Sequence, residues 1–286
     1  MLRNLCGMTD AVDNAADVAP TFAIPSLVNL RDIGGRVSSF GGAIRTGVVF
    51  RSTALADITD TDIDVLTSLQ ISAVYDLRTA AERERRPDRL PDGAKLVGLD
   101  VLADRPTGSV AGSLADVVAD PVAAATHLGD GRAEQHLLGT YRELITLPSA
   151  VTSYRELYTG IAHGDVPALI HCTAGKDRTG WAAAALLMFA GATEQDVFDD
   201  YMLTNEMLLP KFEEMFTRFE AAGGDRALFL PLLGVQRTYL ESAFDEALRR
   251  YGTIDEYFAA GLGIDDDSLQ ALRTRMVDTE GKSVRE

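Results

Sequence analysis

The sequence predicts an α/β protein, a sheet domain in which strands alternate with helices, followed by an all-helical extension. Three observations carry this expectation. The runs Val48-Val49-Phe50, Ile71 to Tyr75 and Ala168-Leu169-Ile170-His171 read as short strands. Helical patterns fall between them, the longest from Glu134 to Ala162 with an interruption at Pro148. After Thr193 the chain reads as almost wholly helical to its end.

Taken in order, Met1 to Pro20 alternates small and acidic residues without a periodic apolar face, so residues 1–20 are expected to be a disordered tail and 21–286 a single domain. Gly34-Gly35 and Gly41-Gly42 punctuate β-prone runs before Ser52. Thr59 with Asp62 imitates a capping box and opens a helix to about Gln70. The strand that follows ends at Asp76. Glu82 to Arg89 reads as a charged helical turn stopped by a proline, and Lys95 to Val101 as another strand. Residues 103–130, rich in Ala, Gly, Asp and Pro, carry no assignable pattern. Tyr-Arg-Glu-Leu occurs at 141–144 and again at 154–157, too close for a structural repeat. A long helix starts near Arg178, and Thr193/Asp196 and Thr253/Glu256 both fit capping boxes.

Composition narrows the function. The 286 residues, 46% hydrophobic, suffice for a real core. A net charge of −16 argues against nonspecific binding to nucleic acid or anionic membrane. The most apolar stretch, Trp181 to Ala190, is about half the length that spans a bilayer, so no membrane insertion is expected. Cys6 and Cys172 are the only cysteines, which rules out a disulfide framework and points to a reducing compartment. No basic segment followed by an apolar core marks a secretory signal. The expected location is the cytoplasm, with export by a signal-independent route left open.

The chemistry concentrates in Leu169-Ile170-His171-Cys172-Thr173-Ala174-Gly175-Lys176-Asp177-Arg178-Thr179-Gly180. A short apolar strand leads into a loop with small residues, and an apolar helix leaves it. Such a loop can turn successive backbone N–H groups toward an anion at the positive end of a helix dipole. Arg178 can grip two phosphate oxygens at once, as lysine cannot. Cys172, in that field, is expected to ionise readily and to attack a bound phosphoryl group, giving a phosphocysteine intermediate that water hydrolyses. By composition alone, His-Cys followed by Arg after five intervening residues would arise roughly 0.002 times.

These residues form the Cys-x5-Arg signature of the protein tyrosine phosphatase superfamily. With Asn29-Leu30-Arg31-Asp32-Ile33-Gly34-Gly35, Arg45-Thr46-Gly47-Val48-Val49-Phe50-Arg51-Ser52 and Asp76-Leu77-Arg78, the chain resembles the bacterial tyrosine/serine protein phosphatase family over roughly residues 25–275. The resemblance implies a dual-specificity-phosphatase-like, mostly parallel central sheet flanked by helices, with a C-terminal helical lid over the site. It also implies activity on phosphotyrosine, extending to phosphoserine, phosphothreonine and phosphoinositides. Substrates would be phosphorylated proteins or phosphoinositides, and the oligomeric state stays open.

The expected catalytic residues are Cys172, Arg178 and Asp177, and the expected phosphate-binding residues His171, Thr173, Ala174, Gly175 and Lys176. His171 ends a core strand and should orient the loop rather than act as a base. Lys176 adds a second cation, as in phosphatase loops that accept inositol phosphates. Asp177 opposes the charge that the loop binds, and makes sense if it is protonated with substrate bound and passes that proton to the leaving alcohol. Asp100 and Asp104, and less so Asp76, are the alternative acids. Arg31, Asp32, Arg51 and Arg78 are expected to brace the loop by ion pairs. Leu208, Phe212, Met215, Phe216 and Phe219 share one helical stripe, and residues 200–250 are expected to form the mobile lid. No cofactor is required and no cluster has metal-ligand spacing. A rhodanese-type sulfurtransferase and a non-catalytic phospho-ligand binder are the competing readings.

Overall fold

The computed structural model describes residue 24 and residues 26–105, 121–164 and 166–279. The expected disordered tail, 1–20, lies outside the described residues. A five-stranded sheet has the order β1 (Arg31–Asp32), β3 (Val49–Ser52), β6 (Ala168–His171), β4 (Ala73–Asp76), β5 (Lys95–Gly98). All its pairs are parallel except β1 with β3. A mostly parallel sheet flanked by helices is therefore the architecture.

The strand register explains where the site falls. His171 pairs with Ser52 on one side and Asp76 on the other, while Arg31 pairs with Arg51. The carboxyl ends of the three central strands are thus level, and the loops leaving Ser52, Asp76 and His171 emerge together. In parallel sheets this edge is where ligands bind.

Side chains alternate along each central strand, as the two-residue period requires. Val49, Ala73, Tyr75, Ala168 and Ile170 join the larger core, whereas Phe50, Val74 and Leu169 join a smaller one on the opposite face. The helix Asp60–Ser68 covers the smaller core with Leu66. Helices Arg132–Thr146, Pro148–His163, Arg178–Phe189, Arg237–Tyr251 and Asp266–Met276 enclose the larger one. A third cluster, including Leu128, Phe216, Phe219, Phe229 and Leu233, stands apart from both.

Capping chemistry sets the boundaries. Thr59 and Asp62 form the expected capping box, as do Thr79 and Glu82, so the second helix, Ala80–Arg85, begins ahead of its expected start at Glu82. It ends before Pro87, with Arg86 outside the helical region at φ −140° and ψ 78°, because proline disfavours helix at the preceding residue. The strand expected to reach Val101 stops at Gly98.

Two corrections concern the second half. The chain does not finish as helix: β7 (Val277–Asp278) pairs antiparallel with β2 (Ala43–Ile44) in a small second sheet. Two residues are too short a run to show a period. The stripe from Leu208 to Phe219 is not one helix either. Pro210, which cannot donate to a helix interior, falls in a 3-10 turn, Leu209–Phe212, between helices Glu194–Leu208 and Glu213–Ala221. No described helix is long and apolar enough to cross a membrane.

Candidate active site

The loop after β6 is held from outside by its carbonyl groups. Ala54 N–H donates to Thr173 O at 3.1 Å. Gly175 O receives Asn29 Nδ2 at 2.9 Å and Arg51 at 2.8 Å. With the carbonyls engaged there, no described protein group accepts from the backbone N–H groups of Thr173 through Arg178. A succession of such donors at a helix start can receive an anion. Gly175 must be glycine, since its φ is +66° and a Cβ would lie 2.2 Å from Ser52 O. Cys172, at the head of the loop, is only 2% exposed.

Arg178 is fixed by Glu82. The two guanidinium nitrogens bond Glu82 Oε2 at 2.8 Å and Oε1 at 3.0 Å, a bidentate pair, and one also reaches Leu77 O at 3.2 Å. Thr173 Oγ1 donates to the same carboxylate, as do the backbone and hydroxyl of Thr79. Burial pushes the Glu82 carboxyl up, but the Arg178 bond and charge, then Thr173, outweigh it and hold it well below the usual carboxylate range. Burial pulls Arg178 down, yet Cys172 and Glu82 beside it raise it above its ordinary value. Arg178 stays charged at every working pH.

Asp177 lies between donors. Tyr141 donates to its Oδ1 at 3.0 Å, and Lys176 Nζ sits 3.2 Å from Oδ2. Lys176 Nζ also donates to Gly234 O at 3.2 Å, outside the loop. Tyr141 and Tyr201 hydroxyls are 2.6 Å apart. Two further phenols fasten the helix start: Tyr154 donates to Arg178 O at 3.1 Å and Tyr158 to Ala182 O at 3.0 Å. Both tyrosines that open the Tyr-Arg-Glu-Leu tetrapeptides therefore bond the loop or its helix.

Behind the loop is a buried charge network. His171 Nδ1 is 3.1 Å from Cys172 O, and Nε2 is 3.2 Å from Asp88 Oδ2. Arg78 bonds Asp76 and Asp88, both at 2.7 Å. Burial raises the Asp88 carboxyl, but His171 and then Arg78 bring it below its ordinary value. Asp76, Asp88 and His171 could by distance hold a metal ion, but the Arg78 guanidinium already supplies the cation that both carboxylates bond.

A second network joins the loop to helix Glu194–Leu208. Asp200 pairs with Arg31 at 2.9 Å, Arg51 at 2.6 Å and Arg36 at 3.6 Å. Arg51 is the residue that also holds Gly175 O. Asp32 accepts from the N–H of Gly34 and Gly47, pinning the turn before β3. Arg31, Arg51 and Arg78 make ion pairs as expected, whereas Asp32 makes none among the described residues and braces through backbone N–H groups instead.

The alternative acids are engaged elsewhere. Asp100 accepts from Ala80 N at 2.8 Å and Asp104 from Ser149 N at 2.6 Å, each at a helix start, while Asp76 belongs to the Arg78 network. Glu82, Asp88, Tyr141, Tyr154, Asp200 and Tyr201 escaped the sequence reading. For Glu82 a signal existed, since Thr79-x-x-Glu82 is a capping box directly after Asp76-Leu77-Arg78.

A parallel sheet whose central strand feeds a cysteine-headed anion cradle defines a phosphatase-type protein. A family profile agrees: the chain belongs to the tyrosine phosphatase family, matched over residues 22–278. It is 29% identical over 254 residues to a Cupriavidus necator protein named as a tyrosine-protein phosphatase, covering 87% of this chain and 86% of that one. It is 28% identical over 285 residues to the triple specificity protein phosphatase PtpB of Mycobacterium tuberculosis, covering 87% and 96%. Among solved structures, P. aeruginosa TpbA aligns over 76% of this chain and 96% of its own, at 19% identity and a TM-score of 0.33, too distant to bear on the site.

Proposed function

We propose that this tyrosine phosphatase hydrolyses phosphotyrosine through a phosphocysteine intermediate, with Cys172 as nucleophile, Arg178 as phosphate grip and Asp177 as proton donor. The single observation that carries the reading is the loop itself: no described protein group accepts from the N–H groups of Thr173 to Arg178, the cysteine that heads the loop is buried, and Arg178 is held by Glu82. The Cys172 thiolate forms a bond to phosphorus as the ester P–O bond breaks. Asp177 gives its proton to the leaving oxygen. A water then attacks phosphorus, passing its proton to the Asp177 carboxylate, the S–P bond breaks, and inorganic phosphate leaves. Asp177 is favoured over Asp100 and Asp104 because it lies within the Cys172–Arg178 loop, whereas those two bond the starts of other helices. Rapid acid quench of the enzyme turning over a labelled phosphotyrosine peptide should trap label on Cys172. Label on another residue, or none during steady turnover, would refute the reading.

Substrate range is proposed to extend to phosphoserine, phosphothreonine and phosphoinositides. Lys176, a second cation in the loop, supports this, as does the triple specificity named for the PtpB relative. Lys176→Ala is expected to cut kcat/KM for a phosphoinositide by about tenfold or more, and for a phosphotyrosine peptide by no more than about threefold. Equal losses would make Lys176 general electrostatics rather than a specificity determinant.

Within the expected range 200–250, residues 213–233 are proposed to act as a lid, whereas Asp200, Tyr201 and helix Arg237–Tyr251 are anchored in the main fold. In support, Phe216, Phe219, Phe229 and Leu233 pack in a cluster separate from the main core, and Gly234 O meets Lys176. Amides of 213–233 should exchange with solvent faster than those of 178–189, and slow when inorganic phosphate is bound. Equal protection in both segments, unchanged by phosphate, would remove the lid.

A further inference from the structure

With Asp177 as the acceptor, the hydroxyl groups around it order themselves in one direction. Tyr141 has a single hydroxyl hydrogen, and it goes to Asp177 Oδ1 at 3.0 Å. The 2.6 Å contact between Tyr141 and Tyr201 must then be donated by Tyr201. Hydrogen bonds accordingly run in one direction, from Tyr201 to Tyr141 to Asp177 Oδ1. Both tyrosines are fully buried, and their rings meet edge to face with centroids 6.3 Å apart. Burial, then the Asp177 charge, pushes the Tyr141 hydroxyl well above its ordinary range, and the same two causes act on Tyr201. Both remain donors at every pH where the enzyme could work.

With Oδ1 committed as an acceptor, the transferable proton belongs on Oδ2, the oxygen 3.2 Å from Lys176 Nζ. We infer that Tyr141 and Tyr201 are positioning residues for the proton donor, together fixing which oxygen of Asp177 carries the proton to the leaving group. The inference rests on the reading of Asp177 as general acid. It also gives Tyr201 a place beside its neighbour Asp200. One residue orients the acid while the other, through Arg51, holds the loop carbonyl at Gly175.

The test exploits the leaving group. An alkoxide or phenoxide of high basicity needs the acid, whereas dinitrophenolate leaves without it, and general acid catalysis is worth about 10²–10⁴-fold. Tyr141→Phe removes only the hydroxyl and is expected to lower kcat for phosphotyrosine by about tenfold or more, with less than about threefold loss on 2,4-dinitrophenyl phosphate. Tyr201→Phe should move the same ratio in the same direction by a smaller factor, and it carries the test alone if Tyr141→Phe does not fold. Equal losses on both substrates, or a wild-type ratio in the folded variants, would overturn the inference. Asp177→Asn is run alongside. If it shows the leaving-group dependence and the tyrosine variants do not, only the positioning role falls. If it shows none, the acid assignment falls and the tyrosines' role with it.

Discussion

Cys172→Ser is expected to lower turnover of phosphotyrosine by about 10⁴-fold or more while leaving inorganic phosphate binding within about threefold of wild type. The two halves of this result have separate physical origins. The seryl oxygen is smaller than sulfur and crowds nothing, and the N–H donors of Thr173 to Arg178 and the Glu82 hold on Arg178 do not depend on the sulfur. What is lost is an anionic nucleophile at neutral pH, since a hydroxyl in that position has no base beside it. His171 does not serve, being committed to Cys172 O and Asp88. Kinetics with phosphotyrosine and calorimetry with phosphate measure both halves. A variant retaining more than about a hundredth of wild-type turnover would mean that another group attacks phosphorus. The same experiment decides between the competing classes. A phospho-ligand binder shows no difference in turnover between the two proteins, and a sulfurtransferase transfers sulfur from thiosulfate to cyanide in the wild type.

Asp200→Asn is expected to destabilise the fold by about 3–5 kcal/mol, because it removes the countercharge of buried arginines without changing shape. Asp200 and Arg31 are each about 1% exposed and Arg51 is 0%, so water cannot replace the lost charge. For a domain of this size the melting temperature should fall by on the order of 10 °C. The ion pairs also predict a pH dependence. Burial pushes the Asp200 carboxyl up, but Arg31, Arg51 and Arg36 overcome it and hold the group well below the usual carboxylate range. Its folded value lies below its unfolded value, near 3.9 in model peptides, so its contribution is complete above roughly pH 5 and is lost as pH falls toward the folded value. Wild type should therefore lose stability between pH 5 and 3 more steeply than Asp200→Asn, about as judged by urea midpoints. Parallel pH curves, or a melting temperature unmoved by the substitution, would show that the arginines are compensated elsewhere.

Legibility in the sequence followed the range of the interactions. β6, its loop and the Arg178–Phe189 helix were readable because a local apolar run, small loop residues and a helix start are all contiguous in the chain. The pairing Thr59/Asp62 was readable for the same reason. Asp200 was not, since it reads as one more acid on an amphipathic helix and its role appears only when β1 and β3 bring Arg31 and Arg51 beside it. Tyr141 and Tyr154 began a tetrapeptide set aside as coincidence. As a repeat it is one, but each tyrosine still reaches the loop or the Arg178 helix across the fold. β2 and β7 were missed because two-residue strands carry no period, and their pairing joins Ala43 to Asp278. Arg31, Asp32, Arg51 and Arg78 were recognised as bracing residues from their motifs, but which acid answered which arginine needed three dimensions.

Glu82 bonds the N-cap of its own helix and the guanidinium of Arg178 with the same carboxylate. The consequence concerns how this enzyme tolerates mutation. A change at Glu82 lowers foldedness and misdirects the arginine in one step, so survivors of a stability screen and survivors of an activity screen are drawn from the same few substitutions. Thr79, which supplies only the cap, is free of that double demand. Attempts to improve the protein's robustness therefore have room at Thr79 and almost none three residues later.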